Sequence, residues 1–179
     1  MKKGFWGKLK RPIFALAPMA NVTDMAFRDV LAKYGRPDVM WTEFVSVEGL
    51  LSKGRDNLLP DLQFNKKQKP IVAQIFGSKP EQFKAVAEQL VEMGFDGIDI
   101  NMGCPDRGVE KSGGGAALIR SPKLAVEIIK ATKQGAGKVP VSVKTRLGYS
   151  KNEMSEWVEH LLGAEPVSYT HLRAHETAT

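Results

Sequence analysis

The side chain in this sequence with the clearest capacity for chemistry is the thiol of Cys104, the single cysteine of the chain. It lies in the segment Asn101-Met102-Gly103-Cys104-Pro105. Because a free thiol has a pKa of about 8.5, it is mostly protonated at neutral pH and can donate a proton to a carbanion-like centre. A nucleophilic role would need a histidine beside it, which this segment lacks. The sequence therefore predicts a general acid, and a cysteine that only packs in the core is the structural alternative.

Further polar side chains alternate with apolar ones in two strand-like segments. Asp99 and Asn101 lie two positions apart just before Cys104, and Ser142, Lys144 and Arg146 follow the same spacing later in the chain. Residues two apart in a strand share one face of the sheet. In a barrel of parallel strands, polar groups near the carboxyl ends of the strands form the active site. The spacing therefore predicts polar side chains on one face of each strand, as expected for a barrel with its site at the carboxyl ends of the strands.

Strand-like and helix-like segments alternate along the chain, and these elements must position the polar side chains. The predicted strands are residues 12–19, 38–44, 70–77, 97–101 and 139–147. Amphipathic helical segments separate them. The first is predicted to run from a Thr23 N-cap to Gly35, with one apolar face made of Phe27, Val30, Leu31 and Tyr34. Because each strand returns through a helix, the alternation predicts an α/β fold with a parallel sheet.

Two architectures satisfy this alternation, a doubly wound sheet and a TIM (β/α)8 barrel. The chain has no Gly-x-Gly-x-x-Gly turn of the dinucleotide-binding kind, and its polar strand ends favour the barrel. A barrel has eight units, whereas five are identified here, so residues 1–163 are predicted to be the N-terminal part of a truncated barrel. Residues 164–179 have no clear periodicity and are predicted to be a non-native or disordered tail.

Composition and charge indicate an anionic partner and argue against a membrane-spanning or disulfide-rich protein. The 179 residues include 26 Lys and Arg against 20 Asp and Glu, and the formal net charge of +6 is compatible with an anionic partner such as nucleic acid. There is no apolar run of membrane-spanning length, and one cysteine cannot form a disulfide framework, so a cytoplasmic protein without membrane contact is expected. The basic N-terminal residues, 1–11, are predicted to be a solvated tail.

Seven motifs, taken together and in order, resemble the N-terminal half of the tRNA-dihydrouridine synthases, which are flavin-dependent barrel enzymes. They are Ala17-Pro18-Met19, Thr23-Asp24 with Phe27-Arg28, Thr42-Glu43, Gln74-Ile75-Phe76-Gly77, Asn101-Met102-Gly103-Cys104-Pro105, Gly115-Ala116-Ala117-Leu118 and Lys144-Thr145-Arg146-Leu147-Gly148. The resemblance implies FMN as cofactor, NADPH as electron donor and tRNA as the partner, in a monomeric enzyme that reduces uridine to 5,6-dihydrouridine.

The resemblance also implies roles for individual residues. The Ala17-Pro18-Met19 turn would lie against the isoalloxazine ring, Gln74 would hydrogen-bond the polar edge of that ring, and Lys144 would lie near its pyrimidine side. Asn101 would lie between the flavin and the target base, and Arg146 near the substrate.

Cys104 matches the family's proton donor to C5 of the uracil. One departure concerns the segment after Cys104-Pro105, where Gly108 replaces the family's lysine before Val109, and Arg107 or Lys111 is expected to supply the charge.

Two other functions remain open from the sequence. One is a different FMN barrel enzyme that acts on a free pyrimidine, in the manner of dihydroorotate dehydrogenase, and the other is an RNA-binding fragment without catalysis. No metal site is expected, because His171 and His175 lack a third ligand and are assigned no function.

Overall fold

Five parallel strands form one sheet in a computed structural model that describes residues 4–166 and 168–172. They are β1 (Met40–Ser46), β2 (Ile71–Phe76), β3 (Gly97–Met102), β4 (Val141–Arg146) and β5 (Ser168–Leu172). The spatial order is β1-β2-β3-β4-β5, so each strand pairs with the next one along the chain. A doubly wound sheet would reverse its strand order at a switch point. The order therefore confirms the α/β class and is that of a truncated TIM barrel.

Helices connect the strands and cover one side of the sheet. They are α1 (Met25–Tyr34), α2 (Val47–Leu50), α3 (Pro80–Glu92), α4 (Arg107–Lys111), α5 (Pro122–Ala136) and α6 (Met154–Gly163), with short 3-10 turns elsewhere. Helices α3 and α5 pack closely, because Gly135 in α5 has no side chain and its backbone lies against the Lys84 carbonyl oxygen of α3. No helix within the described part of the chain is both long and apolar enough to cross a membrane.

The two faces of the sheet differ in chemistry, as the alternation in the sequence predicts. The helix-covered face consists of fully buried apolar side chains, namely Ile71, Ala73, Ile75, Ile98, Ile100 and Val143. The opposite face, called the inner face here, consists of Gln74, Asp99, Asn101, Ser142, Lys144 and Arg146. Apolar burial on the first face stabilises the sheet, since truncating one such side chain to alanine typically costs about 2–5 kcal/mol. The inner face is thereby left available for polar groups.

Residues 12–19 do not form the strand that was predicted for them. This segment makes only an isolated parallel bridge between Ala15 and Val39, with hydrogen bonds from Leu16 N to Val39 O (3.0 Å) and from Asp38 N to Phe14 O (2.8 Å). Two of its residues are prolines, which have no backbone N–H to donate to a ladder. The segment is extended along β1 without becoming a full strand.

Helix α1 also differs from the prediction. Its N-cap is Asp24, whose carboxylate accepts a hydrogen bond from Phe27 N at 2.7 Å. Of the predicted apolar face, Leu31 packs against the core, whereas the other three residues are solvent-exposed, with Tyr34 75% exposed. The buried residue is Arg28, which donates hydrogen bonds to Gln68 Oε1 and to backbone carbonyls. The helix turns this side inward because the guanidinium satisfies buried acceptors of the neighbouring segments.

The N-terminal segment is not the solvated tail that was predicted. Residues Gly4–Lys8 form a 3-10 turn in which the rings of Phe5 and Trp6 stack at 4.9 Å, and Trp6 lies 5.9 Å from the Trp41 ring. Phe5 also approaches Gly97 at the start of β3. The aromatic pair therefore closes the amino ends of the strands, at the opposite end of the sheet from their carboxyl ends.

The C-terminal region also departs from the expectation of disorder. Ser168–Leu172 pairs with β4 in parallel register, from Ser142 opposite Ser168 to Arg146 opposite Leu172. The edge of β4 offers unpaired backbone groups, which an extended segment satisfies by adding a strand. Val167 and residues 173–179 lie outside the described residues, and the non-native origin of residues 164–179 stays a prediction.

Candidate active site

Three inner-face side chains form a row across β2, β3 and β4. Gln74 is opposite Asp99 in the register, and Asp99 is opposite Ser142. The Gln74 amide donates to Asp99 Oδ2 at 2.6 Å, and the Ser142 hydroxyl donates to Asp99 Oδ1 at 2.5 Å. All three are buried. Strand register alone therefore places a carboxylate between two donors.

Burial dominates the electrostatics of Asp99. The side chain is only 1% exposed, and this loss of solvation raises its pKa to about 6. Hydrogen bonds from Ser142 and Gln74 and the positive charge of Lys144 oppose the rise. The Trp41 indole also lowers the pKa of Asp99, although its buried N–H makes no hydrogen bond of normal geometry with any described group. Asp99 is thus a buried carboxyl group with a raised pKa, on the inner face of β3.

Asn101, one step nearer the carboxyl end of β3, connects this row to the cysteine loop. Its amide nitrogen donates to Gln74 Oε1 at 3.3 Å, and its Oδ1 accepts from Gly103 N at 3.2 Å and Cys104 N at 3.0 Å. A side chain that accepts from backbone N–H groups two and three residues later forms a local turn. The turn directs the chain away from β3 at a defined angle.

The backbone around Cys104 is held from the other side by a glycine. Cys104 O accepts a hydrogen bond from Ala116 N at 2.9 Å, and a Cβ at Gly115 would lie 2.5 Å from that oxygen. Gly115 also has φ +59°, a conformation that side chains with a Cβ adopt rarely. Only glycine meets both requirements without a shift in the backbone, so the motif Gly115-Ala116-Ala117-Leu118 serves to clamp the cysteine loop.

Cys104 itself is half-buried and unbonded to any other cysteine. His160 lies in α6, where its ring nitrogen interacts with Glu156 O at 2.9 Å. It is thus held on its own helix, and the structure supplies no imidazole to Cys104 from it.

The two basic residues of β4 lie on the same face as Asn101. Lys144 is opposite Asn101 in the register, and the Arg146 side chain passes close to Gly103. Both are half-buried, so their cationic ends can meet a ligand at the carboxyl end of the sheet. The structure therefore brings together four predicted site residues, namely Gln74, Asn101, Lys144 and Arg146, beside Cys104.

The Ala17-Pro18-Met19 turn is positioned through other elements. The buried Thr23 hydroxyl donates to Met19 O and accepts from Met19 N, and the Arg28 guanidinium donates to Thr23 O. In β1, the Glu43 carboxylate accepts from Asn21 N. The turn is therefore fixed at the edge of β1, with Met19 partly exposed.

Sequence reasoning assigned no role to Asp99, Ser142, Thr23 or Glu43 in positioning the site. The available signal for the first two was their period-two spacing with Asn101 and Lys144, which placed them on one face without showing their hydrogen bonds. In the described ranges, no group of three His, Cys, Asp or Glu residues could hold a metal ion.

A singly wound parallel sheet with buried polar groups toward the carboxyl ends of its strands is the architecture of a truncated TIM barrel, in which a site is expected at that end. The family model of dihydrouridine synthase matches residues 15–164. The chain belongs to this family.

Named relatives agree with the family match. The chain is 48% identical over 176 residues to a probable tRNA-dihydrouridine synthase of Staphylococcus aureus strain COL, covering 97% of this chain and 53% of the relative. It is 47% identical to probable tRNA-dihydrouridine synthase 2 of Bacillus subtilis strain 168, over 97% of this chain and 54% of the relative. The chain therefore spans about half the length of these curated relatives.

Proposed function

We propose that the complete protein containing these residues reduces uridine to 5,6-dihydrouridine in tRNA, with FMN as cofactor and Cys104 as the proton donor. The family and the names of the relatives support this reaction class. The observation that carries the proposal is the fixed position of Cys104, whose N–H is held by Asn101 and whose carbonyl is held by Ala116. A general acid must be held within hydrogen-bond reach of the atom it protonates.

The residues present fit a flavin. A glutamine amide has two N–H donors and a carbonyl oxygen with two lone pairs, and the protein uses one donor and one lone pair of Gln74, to Asp99 and Asn101. The remaining donor and acceptor suit the alternating carbonyl and N–H groups of an isoalloxazine edge. Lys144 adds a positive charge on the same face, suited to a flavin that carries negative charge when reduced. The Ala17-Pro18-Met19 turn would pack against the ring.

The chemistry that bound FMN would supply, after its reduction by NADPH, is the hydride for C6 of the uracil. Cys104 holds the proton that goes to C5, so that the hydride and proton together saturate the C5–C6 double bond. The resulting thiolate regains a proton from solvent before the next turnover. Asn101 orients the loop that carries the thiol and offers an amide to the base.

The substrate side of the proposal rests on charge at the rim of the site. Arg146 on β4 and the exposed Arg107 and Lys111 of α4 lie at the carboxyl end of the sheet, where they would contact phosphates. A uracil stacked inside tRNA cannot reach the inner face. The target nucleotide would therefore leave its stack and enter the site as a flipped base.

The test is an assay of the complete protein with NADPH, FMN and tRNA that lacks dihydrouridine. Formation of dihydrouridine, detected by mass spectrometry of nuclease-digested tRNA, is the expected result. Free uracil and uridine are the matched substrates, and no turnover of either is expected. Turnover of the free pyrimidines with none on tRNA would contradict the proposal and favour an enzyme of the dihydroorotate dehydrogenase kind.

A further inference from the structure

Asp99 is a buried carboxylate that takes part in no step of the proposed reaction. It occupies the centre of β3 at 1% exposure, between Ile98 and Ile100 on the opposite face. A buried ionisable group is costly unless its partners satisfy it, and an apolar residue would fill the same space more cheaply. Its hydrogen-bond partners therefore indicate what the carboxylate does.

The carboxylate determines how the neighbouring side-chain amides are oriented. When ionised it only accepts hydrogen bonds, so the Gln74 amide must turn its NH2 end toward Asp99 Oδ2, at 2.6 Å. The carbonyl end of Gln74 then necessarily faces the other way, toward Asn101. The amide nitrogen of Asn101 donates to that oxygen at 3.3 Å.

The orientation of the Asn101 amide in turn determines the hydrogen bonds of the cysteine loop. Because the Asn101 NH2 is turned toward Gln74, its Oδ1 faces the backbone N–H groups of Gly103 and Cys104 and accepts from both. A reversed Asn101 amide would place its NH2 against these two donors, and the turn would lose both hydrogen bonds. Each amide orientation is thus set by the one before it, beginning at the acceptor-only group.

We propose that Asp99 is a positioning residue that acts through Gln74 and Asn101 to hold the backbone of Cys104 in its reactive place. The catalytic consequence rests on the proposed function of Cys104, whereas the structural consequence does not. The two are measured separately below, in the complete protein.

The structural measurement is hydrogen exchange of the Gly103 and Cys104 amides by NMR. Asp99→Leu removes the acceptor while keeping similar bulk, so Gln74 and Asn101 can reverse their amides. Exchange of the two amides is expected to accelerate by roughly fivefold to tenfold, the effect of losing a typical net hydrogen bond. Ile100→Ala is the matched control, since it empties a buried site on the same strand but on the helix-covered face. In this control, the rate at which the Gly103 and Cys104 amides exchange through local opening is expected to stay unchanged.

The catalytic measurement is single-turnover reduction of tRNA uridine by pre-reduced enzyme. Misplacing a reactive group slightly can cost about 10²-fold in rate, and a loss of this order is expected for Asp99→Leu. Asn101→Ala removes the group through which Asp99 acts. The double variant Asp99→Leu/Asn101→Ala should therefore react and exchange at the rates of Asn101→Ala alone, whereas unrelated structural damage would add.

Should Asp99→Leu fail to fold, Asp99→Asn carries the same test, because asparagine retains one acceptor oxygen for Gln74. A smaller acceleration of exchange, again not additive with Asn101→Ala, is expected. Wild-type exchange of the Gly103 and Cys104 amides in a folded Asp99 variant, or additive effects in the double variant, would overturn the proposal. A wild-type protein that forms no dihydrouridine would refute the proposed function, while amide exchange would still decide the role of Asp99.

Discussion

The hydroxyl of Thr23 exchanges two hydrogen bonds with the backbone of Met19, donating to Met19 O at 3.0 Å and accepting from Met19 N at 2.9 Å. Thr23 is fully buried, and its own carbonyl accepts from the buried Arg28 guanidinium, whose pKa is lowered by burial. The pair closes the Ala17-Pro18-Met19 turn into a fixed shape before any ligand arrives. A preformed turn lowers the entropic cost of binding a rigid ring.

Thr23→Val keeps the shape of the side chain but removes both hydrogen bonds that the hydroxyl makes to Met19. Met19 O still accepts from Val22 N and Thr23 N, but Met19 N loses its partner. Leaving this donor unsatisfied costs about 1–3 kcal/mol, so FMN affinity is expected to fall roughly tenfold. Thr132→Val is the matched control, because Thr132 is equally buried but bonds only to Ile128 O within α5. Fluorescence titration of the apoprotein with FMN measures both; equal losses in the two variants would contradict a role for the Thr23–Met19 pair.

The Asp99 carboxyl makes a pH-dependent contribution to stability. Its pKa in the fold, about 6, lies above the ordinary 3.8 because of burial, so the fold favours the protonated form. The favourable contribution is present below pH ~4 and is lost as pH rises through 6, with Lys144 reducing the loss. Relative to Asp99→Asn, the wild-type protein should lose about 2 kcal/mol between pH 4 and pH 7.

Urea unfolding of the two proteins at both pH values measures this difference, since the other titrating groups cancel in the comparison. A difference that is independent of pH would show that Asp99 is ionised as easily in the fold as in the unfolded chain.

Gly115→Ala tests the clamp on the cysteine loop. Gly115 and Gly137 have nearly the same positive φ, +59° and +57°, but a Cβ at Gly115 would meet Cys104 O whereas a Cβ at Gly137 has nothing within 4 Å. Both alanine variants should lose about 1 kcal/mol from backbone strain. Only Gly115→Ala should also slow uridine reduction, by about tenfold or more, because the loop must shift. Equal rates in the two variants would argue against the clamp.

The position of the basic residues predicts which of them contact tRNA. Arg107 and Lys111 lie in α4 directly after the cysteine loop, whereas Lys8 and Lys10 lie near the Phe5–Trp6 pair at the opposite end of the sheet. Replacing either pair by glutamine removes two positive charges. The α4 variant should bind tRNA more weakly and lower the salt-dependence slope by about 1 per lost phosphate contact.

The Lys8→Gln/Lys10→Gln variant should bind nearly as the wild type does. Electrophoretic mobility shifts across a salt series distinguish local contacts from general charge attraction. Equal weakening by both pairs would indicate that net charge alone attracts the tRNA.

Period-two alternation was sufficient to predict the helix-covered and inner faces of β3 and β4, because side chains must alternate in a strand. It could not predict the hydrogen bonds among Gln74, Asp99 and Asn101, since these depend on register between strands distant in sequence. The prediction for residues 12–19 was wrong because an apolar run fits a strand or an extended segment equally well. Helix α1 was misoriented because the buried acceptors around Arg28 are contributed by residues Gln63 and Gln68, far along the chain.

The central claim is that Cys104 donates the proton to C5 of the uracil, and Cys104→Ala tests it most directly. FMN binding and flavin reduction by NADPH should be nearly unchanged, because neither step uses a proton from Cys104. Oxidation of the pre-reduced enzyme by unmodified tRNA, followed at the flavin absorbance in a single turnover, should slow by ~10²–10⁴-fold. Cys104→Ser should also be slow, since an alcohol is a much weaker acid than a thiol. Oxidation of the alanine variant at the wild-type rate would contradict the account.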